Sequence, residues 1–159
     1  FARIENFNAT PQKIFVFHAC ALERALVAAW VGNHRSNPAA GCLLASFGTT
    51  VELEESQLDA ASAIGGSSPA YVYMFIEALA DAGVAEGLKR PQAYQLAAQG
   101  VLGAAKLVLE SGKHPGQLKD EVCSPSGSTI RGLEVLEKGA FRGTVIDALR
   151  TTIEKARAL

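Results

Sequence analysis

Long hydrophobic runs are missing from these 159 residues. No apolar stretch reaches the roughly 18 residues that a membrane-spanning helix needs. The closest, Lys13 to Gly32, is interrupted by His18, Glu23 and Arg24, so no membrane partner is expected. An excess of basic charge is missing too. The chain carries 15 Lys and Arg against 16 Asp and Glu, a net charge of −1, which argues against the basic stripe of a nucleic-acid surface. Cysteine is scarce: Cys20, Cys42 and Cys123, an odd count with no Cys-x-x-Cys, read as free thiols in a reducing compartment. A cytoplasmic location is therefore the expectation. Cys20 and Cys42 lie among apolar residues and read as small buried hydrophobes. Cys123 borders a Ser/Gly loop, but no His or Arg near it in sequence would activate its thiol. The three histidines, His18, His34 and His114, include no pair at metal-ligand spacing, so no metal is expected. No Gly-x-Gly-x-x-Gly occurs, and no cofactor-binding residues are assigned to this chain. The start at Phe1 lacks the pattern of a secretory signal. Asn8-Ala9-Thr10, followed by Pro11, is accordingly set aside as a glycosylation acceptor.

What is present is an apolar share of 48%, ample for the core of one ordinary domain. Lys13 to Phe17 is a short run of β-formers. Cys20 to Val31 places Ala21, Leu22, Leu26, Val27 and Trp30 in a helix-compatible pattern. Gly32 to Pro38 is a loop by composition. Cys42 to Phe47 is apolar, and Thr50 to Leu53 alternates like a brief strand. A helix then starts at Glu54-Glu55-Ser56-Gln57, with Leu58, Ala61 and Ile64 on one face.

Gly65-Gly66-Ser67-Ser68-Pro69 reads as a second loop, with Ser68 as N-cap and Pro69 opening a helix. That helix, to Gly83, is apolar on nearly every side, which predicts neighbours on several faces. Glu77 and Asp81, at i and i+4, read as a solvated or salt-bridged stripe before they read as a catalytic carboxylate pair. The next helix begins at Lys89-Arg90-Pro91 and runs to Leu109. Its Ala97, Gly100, Gly103, Ala104 and Ala105 form a face almost without side chains. Glycine inside a helix costs roughly 1 kcal/mol against alanine, so this face predicts a close helix crossing, within or between subunits. A short helix, Gln117 to Val122, follows. His114, Asp120 and Ser124 do not make a hydrolytic triad, because no nucleophile elbow accompanies them. The last helices cover 129–138, ending at Gly139 as the residue past the C-terminus, and the stretch after Phe141. The total is about six helices, a mainly α fold.

Ser124-Pro125-Ser126-Gly127-Ser128 lies between two amphipathic runs, and Ile130, Leu133 and Leu136 then recur at helical spacing. The loop empties into a helix. Two readings fit. One is an ordinary N-cap, with Ser128 or Thr129 satisfying the first turn. The other is a carboxylate or phosphate site at the positive helix end.

From about Phe47 to Leu159 the chain resembles the C-terminal half of pyrroline-5-carboxylate reductase. The blocks that carry the resemblance occur in order: Gly66 to Tyr71, Phe75 to Val84 with Gly87-Leu88, Gly103 to Lys106, His114 to Asp120, and Val122 to Pro125. Thr129-Ile130, Gly132-Leu133, Leu136-Glu137 and Phe141-Arg142 complete it. The chain departs from the family by having Ser68 and Ser126 where glycine is usual. Before residue 40 the match nearly vanishes.

The resemblance implies NADPH- or NADH-dependent reduction of 1-pyrroline-5-carboxylate to L-proline, in proline biosynthesis. It implies a helical dimerisation and substrate-binding domain over 49–159, interlocked with a second copy in a homodimer, with dimers able to assemble into rings. Residues 1–48 are poorly matched and read as the end of the dinucleotide-binding domain plus linker. The family's Rossmann domain is then absent or only a remnant, and the chain alone is expected to be inactive. The matching loop holds the substrate carboxylate, which assigns Ser124, Pro125, Ser126, Gly127, Ser128 and Thr129 to substrate binding. Thr129 matches the threonine at the ring nitrogen and is the one catalytic assignment. Two rival readings stand beside this one: a helical assembly fragment that binds no cofactor, and the helical domain of another reductase acting on small acids.

Overall fold

The computed structural model describes residues 12–17, 26–29 and 49–158. The Asn8–Pro11 stretch, the Gly32–Pro38 loop, the Cys42–Phe47 run, His18, His34, Cys20 and Cys42 lie outside the described residues. By their contacts the residues fall into two compact units, one of residues 1–68 with 151–159 and the other Pro69–Arg150.

In the first unit, β1 (Gln12–Phe17), β2 (Leu26–Ala29) and β3 (Thr49–Glu54) form an antiparallel sheet in the order β2-β1-β3. Phe15 of the central strand pairs with Ala28 on one side and Val51 on the other. The strand readings at Lys13–Phe17 and Thr50–Leu53 hold. The helical reading of Cys20–Val31 does not hold at Leu26–Ala29, which pairs with β1. Four apolar residues in a row fit either element, and periodicity alone does not separate them.

β3 leads through a tight helical turn, Glu55–Gln57, into α1 (Leu58–Ser62) and a wide π-type turn, Ala63–Ser67. Gln57 Oε1 accepts from the Glu54 N–H at 2.9 Å and so closes the start of this segment. Gly65-Gly66-Ser67 is thus not a loop, and Ser68 is not an N-cap. The Ser68 N–H donates five residues back to the Ala63 carbonyl, and its hydroxyl donates to the Ile64 carbonyl. The physical reason is Pro69, which has no N–H for the usual partner four residues back. A widened turn accommodates that gap while the chain stays helical. Within this unit Arg157 also pairs with Asp59 at 3.3 Å.

The second unit holds most of α2 (Ser68–Ala85), then α3 (Arg90–Ser111), α4 (Pro115–Glu121), α5 (Ser128–Lys138) and the first part of α6 (Phe141–Arg157). Each long helix lies within a few residues of its expected bounds. α2 and α3 form a hairpin. Its turn is closed by the Gly87 and Leu88 N–H groups, which donate to the Val84 and Gly83 carbonyls at 3.0 Å. Gly87 has φ +98°, a conformation that costs a side-chain-bearing residue strain. The hairpin core is a seam of alanine: Ala80, Ala93 and Ala97 are buried, flanked by Ile76 and Val84. Of the small-residue face expected to make a close crossing, only Ala97 joins this seam, and among the described residues the crossing expected at Gly100 and Gly103 is not made. Gly100 and Gly103, further along the same helix, face open space.

Around this seam much of the apolar surface is uncovered. On α2, Tyr73 and Met74 are 63% and 69% exposed, and Val72, Phe75 and Leu79 are also exposed. On α3, Leu96, Leu102, Leu107 and Leu109 are exposed. Among the described residues, the all-round burial expected of α2 is not achieved. α6 is held to α2 by the Tyr71 hydroxyl, which donates to the Ala148 carbonyl at 3.4 Å, and by the tilted Phe75–Phe141 ring pair at 6.1 Å.

Candidate functional site

The candidate site is the turn between α4 and α5. α4 is opened by His114, whose Nδ1 accepts from the Gly116 N–H at 3.0 Å, with Pro115 in the first turn. His114 is a helix cap here, not a member of a catalytic trio. The helix closes with the Cys123 N–H donating to the Asp120 carbonyl at 3.0 Å. Lys113 reaches across to Glu121 at 2.8 Å. That ammonium hydrogen bond holds the Glu121 carboxyl below its ordinary range. Lys119 pairs with Asp120, whose hydrogen bond holds the Lys119 ammonium above its usual value.

The chain then reverses at Ser124-Pro125-Ser126-Gly127, where the Gly127 N–H donates to the Ser124 carbonyl at 3.0 Å. Pro125 at the second position and a positive φ of 60° at Ser126 are the pattern of a type II β-turn. That pattern explains why glycine suits position 126: a side chain in the left-handed region carries strain. Glycine suits position 127 for a different reason. Its φ of −69° is ordinary, but a Cβ there would lie 2.2 Å from Ser124 Oγ and 3.1 Å from the Ser124 carbonyl oxygen.

Gly127 is also the N-cap of α5, and no side chain caps this helix. The N-cap assignment to Ser128 or Thr129 is therefore corrected, since both residues are already helical. The first turn presents the N–H groups of Ser128, Thr129 and Ile130, which have no intrahelical acceptors. Ser124, Pro125, Ser126, Ser128 and Thr129 are exposed and Gly127 is half-buried. All six sequence-assigned residues thus lie on one turn and helix start. Arg131, one position past this first turn, is paired with Glu134 at 3.2 Å. The arrangement offers clustered backbone donors and the hydroxyls of Ser128 and Thr129 at the positive end of an 11-residue helix, suited to an anion of carboxylate size.

Elsewhere, Asp81 is paired with Arg90, whose guanidinium is held above its usual value chiefly by that hydrogen bond. Arg90 also lies over the Tyr94 ring at 5.6 Å. The Glu77 and Asp81 stripe is thus salt-bridged at Asp81. Among the described residues, no group of three or more His, Cys, Asp or Glu is placed to hold a metal, and no helix is long and apolar enough to cross a membrane. Cys123 is a free, half-exposed thiol.

A further difference from the sequence reading lies at the opposite end of α5 from the site. α5 ends with Gly139 at φ −77°, and the left-handed position is taken by Ala140 at φ +53°. The residue just past a helix C-terminus is commonly the left-handed glycine, and the sequence carries no signal that moves this role from Gly139 to Ala140.

The family model for pyrroline-5-carboxylate reductase dimerisation matches residues 55–159. The chain belongs to this family. Among curated pyrroline-5-carboxylate reductases, that of Escherichia coli (strain K12) is 52% identical over 113 residues, 71% of this chain and 42% of the relative. The Glycine max reductase is 52% identical over 117 residues, 74% of this chain and 43% of the relative. The crystal structure of Plasmodium falciparum pyrroline carboxylate reductase with NADP bound superposes with a TM-score of 0.71 at 40% identity, covering 79% of this chain and 50% of that one. The chain spans about two fifths of the length of these curated relatives. The exposed apolar faces of α2 and α3 are of the kind that marks an interaction site.

Proposed function

We propose that this chain is the dimerisation and substrate-binding half of a pyrroline-5-carboxylate reductase, which reduces 1-pyrroline-5-carboxylate to L-proline in the cytoplasm. The observation that carries the proposal is the uncapped, exposed helix start at Gly127–Ile130, framed by a tight turn, in a chain that belongs to this family. The N–H groups of Ser128, Thr129 and Ile130 hold the substrate carboxylate, and Ser124 to Gly127 shape the turn that exposes them. Fixing the carboxylate fixes the ring, and so the direction in which its C=N bond faces. The Thr129 hydroxyl hydrogen-bonds the ring nitrogen. When hydride adds to the imine carbon, the C=N electron pair moves onto nitrogen, and a donor within roughly 2.6–3.2 Å of that atom stabilises the change.

NADPH or NADH supplies the hydride when bound. The 159 residues have no Gly-x-Gly-x-x-Gly, so the reading places the cofactor on a Rossmann domain outside them, with residues 1–48 as the segment leading to the helical domain. The partner is a second copy, interlocked through α2 and α3, with dimers free to assemble further into rings.

Titration calorimetry of the purified chain with L-proline tests the half-site. Saturable binding that is lost in Gly127→Leu supports it. Absence of binding to a proven dimer favours the second reading, an assembly module that retains only the interface. The exposed apolar faces of α2 and α3 serve that reading equally well. NADPH-dependent turnover by the 159-residue chain alone would falsify the division of labour. For Thr129, the informative variant is Thr129→Ala joined to a dinucleotide-binding domain. The expected result is a fall in kcat of about 100-fold or more with KM little changed; an unchanged kcat removes Thr129 from the mechanism.

A further inference from the structure

We draw no further inference here: the strongest candidate, the half-exposed Cys123 thiol at the junction of α4 and the 124–127 turn, is a lone cysteine beside the site already described, and no second group among the described residues points to a ligand for it.

Discussion

The alanine seam of α2 and α3 and the Ser124–Gly127 turn are both built from small residues, for opposite reasons. In the seam, Ala80, Ala93 and Ala97 are small so that two helices approach closely, and each is buried. In the turn, smallness serves backbone shape: Ser126 occupies the left-handed region, and Gly127 leaves room for Ser124. The seam is an interior, yet it contains no large side chain. Burying a Leu, Met or Phe is worth about 1.5–3 kcal/mol each, and the hairpin leaves Met74, Leu79, Leu96 and Leu102 exposed. A surface of that kind marks an interaction site, in agreement with the family's dimerisation role. The turn needs no such cover to keep its shape. Its hydrogen bonds are local, and its exposed donors are the part left for a ligand.

The largest expected effect separates an outer face that is covered in the assembly from one that is truly at the surface. Met74→Asp with Leu96→Asp puts two charges on the uncovered face. On a solvated helix such changes stay within about 0.5 kcal/mol each. At a buried interface each unpaired charge costs several kcal/mol, so the double variant is expected to lose the dimer at micromolar concentration in sedimentation velocity. Retention of the dimer would move the interface elsewhere.

Next in size is Ala80→Leu, which has no room in the seam. Overpacking of this kind costs typically 1–3 kcal/mol. Urea denaturation should show a lower midpoint with an unchanged slope. A neutral result would mean that the helices separate easily and that the seam does not fix their spacing.

The turn should respond locally. Gly127→Ala forces the Ser124 hydroxyl to rotate away and presses on the Ser124 carbonyl, 3.1 Å from the added Cβ. The expected loss is about 1 kcal/mol of stability, the low end of the range for strain at functional backbone positions, with proline binding weakened more than dimerisation. Equal weakening of both would tie the turn to the interface and erase the contrast with the seam.

The smallest effect is in pH. The Glu121 carboxyl is held below its ordinary value of 4.5, first by the Lys113 hydrogen bond. Its folded-state value is depressed, so its contribution is present above the unfolded value and lost as pH falls through the folded one. A melting curve of Glu121→Gln should differ slightly from the parent at neutral pH and converge with it in acid. A difference that persists in acid would assign the effect to packing rather than charge.

Much of this contrast is legible in the residues. α3 announces itself through Pro91 at its start, and the ordered blocks from Gly66 to Arg142 point to the site. Glycine's usual place at 126 drew attention to the one position in the turn with a positive φ. Three features were not legible, each for a physical reason. Leu26–Ala29 is too short for periodicity to decide, and only its pairing with β1 makes it a strand. Ser68 looks like an N-cap because a Ser-Pro pair usually opens a helix. Here the preceding turn is already helical, so its carbonyls supply the partners a cap would have replaced. The coverage of α2 is not complete among the described residues: α3 and α6 pack against it, yet Tyr73 and Met74 stay exposed.

The most direct test of the account is the mass in solution of the purified chain, measured by sedimentation equilibrium at tens of micromolar. The expected result is a dimer or a multiple of it, at least twice the 16.7 kDa chain mass, whose helical signal and association are lost together on dilution or in urea. A monomer that stays folded and melts cooperatively would contradict it, because the exposed faces of α2 and α3 would then need no second copy.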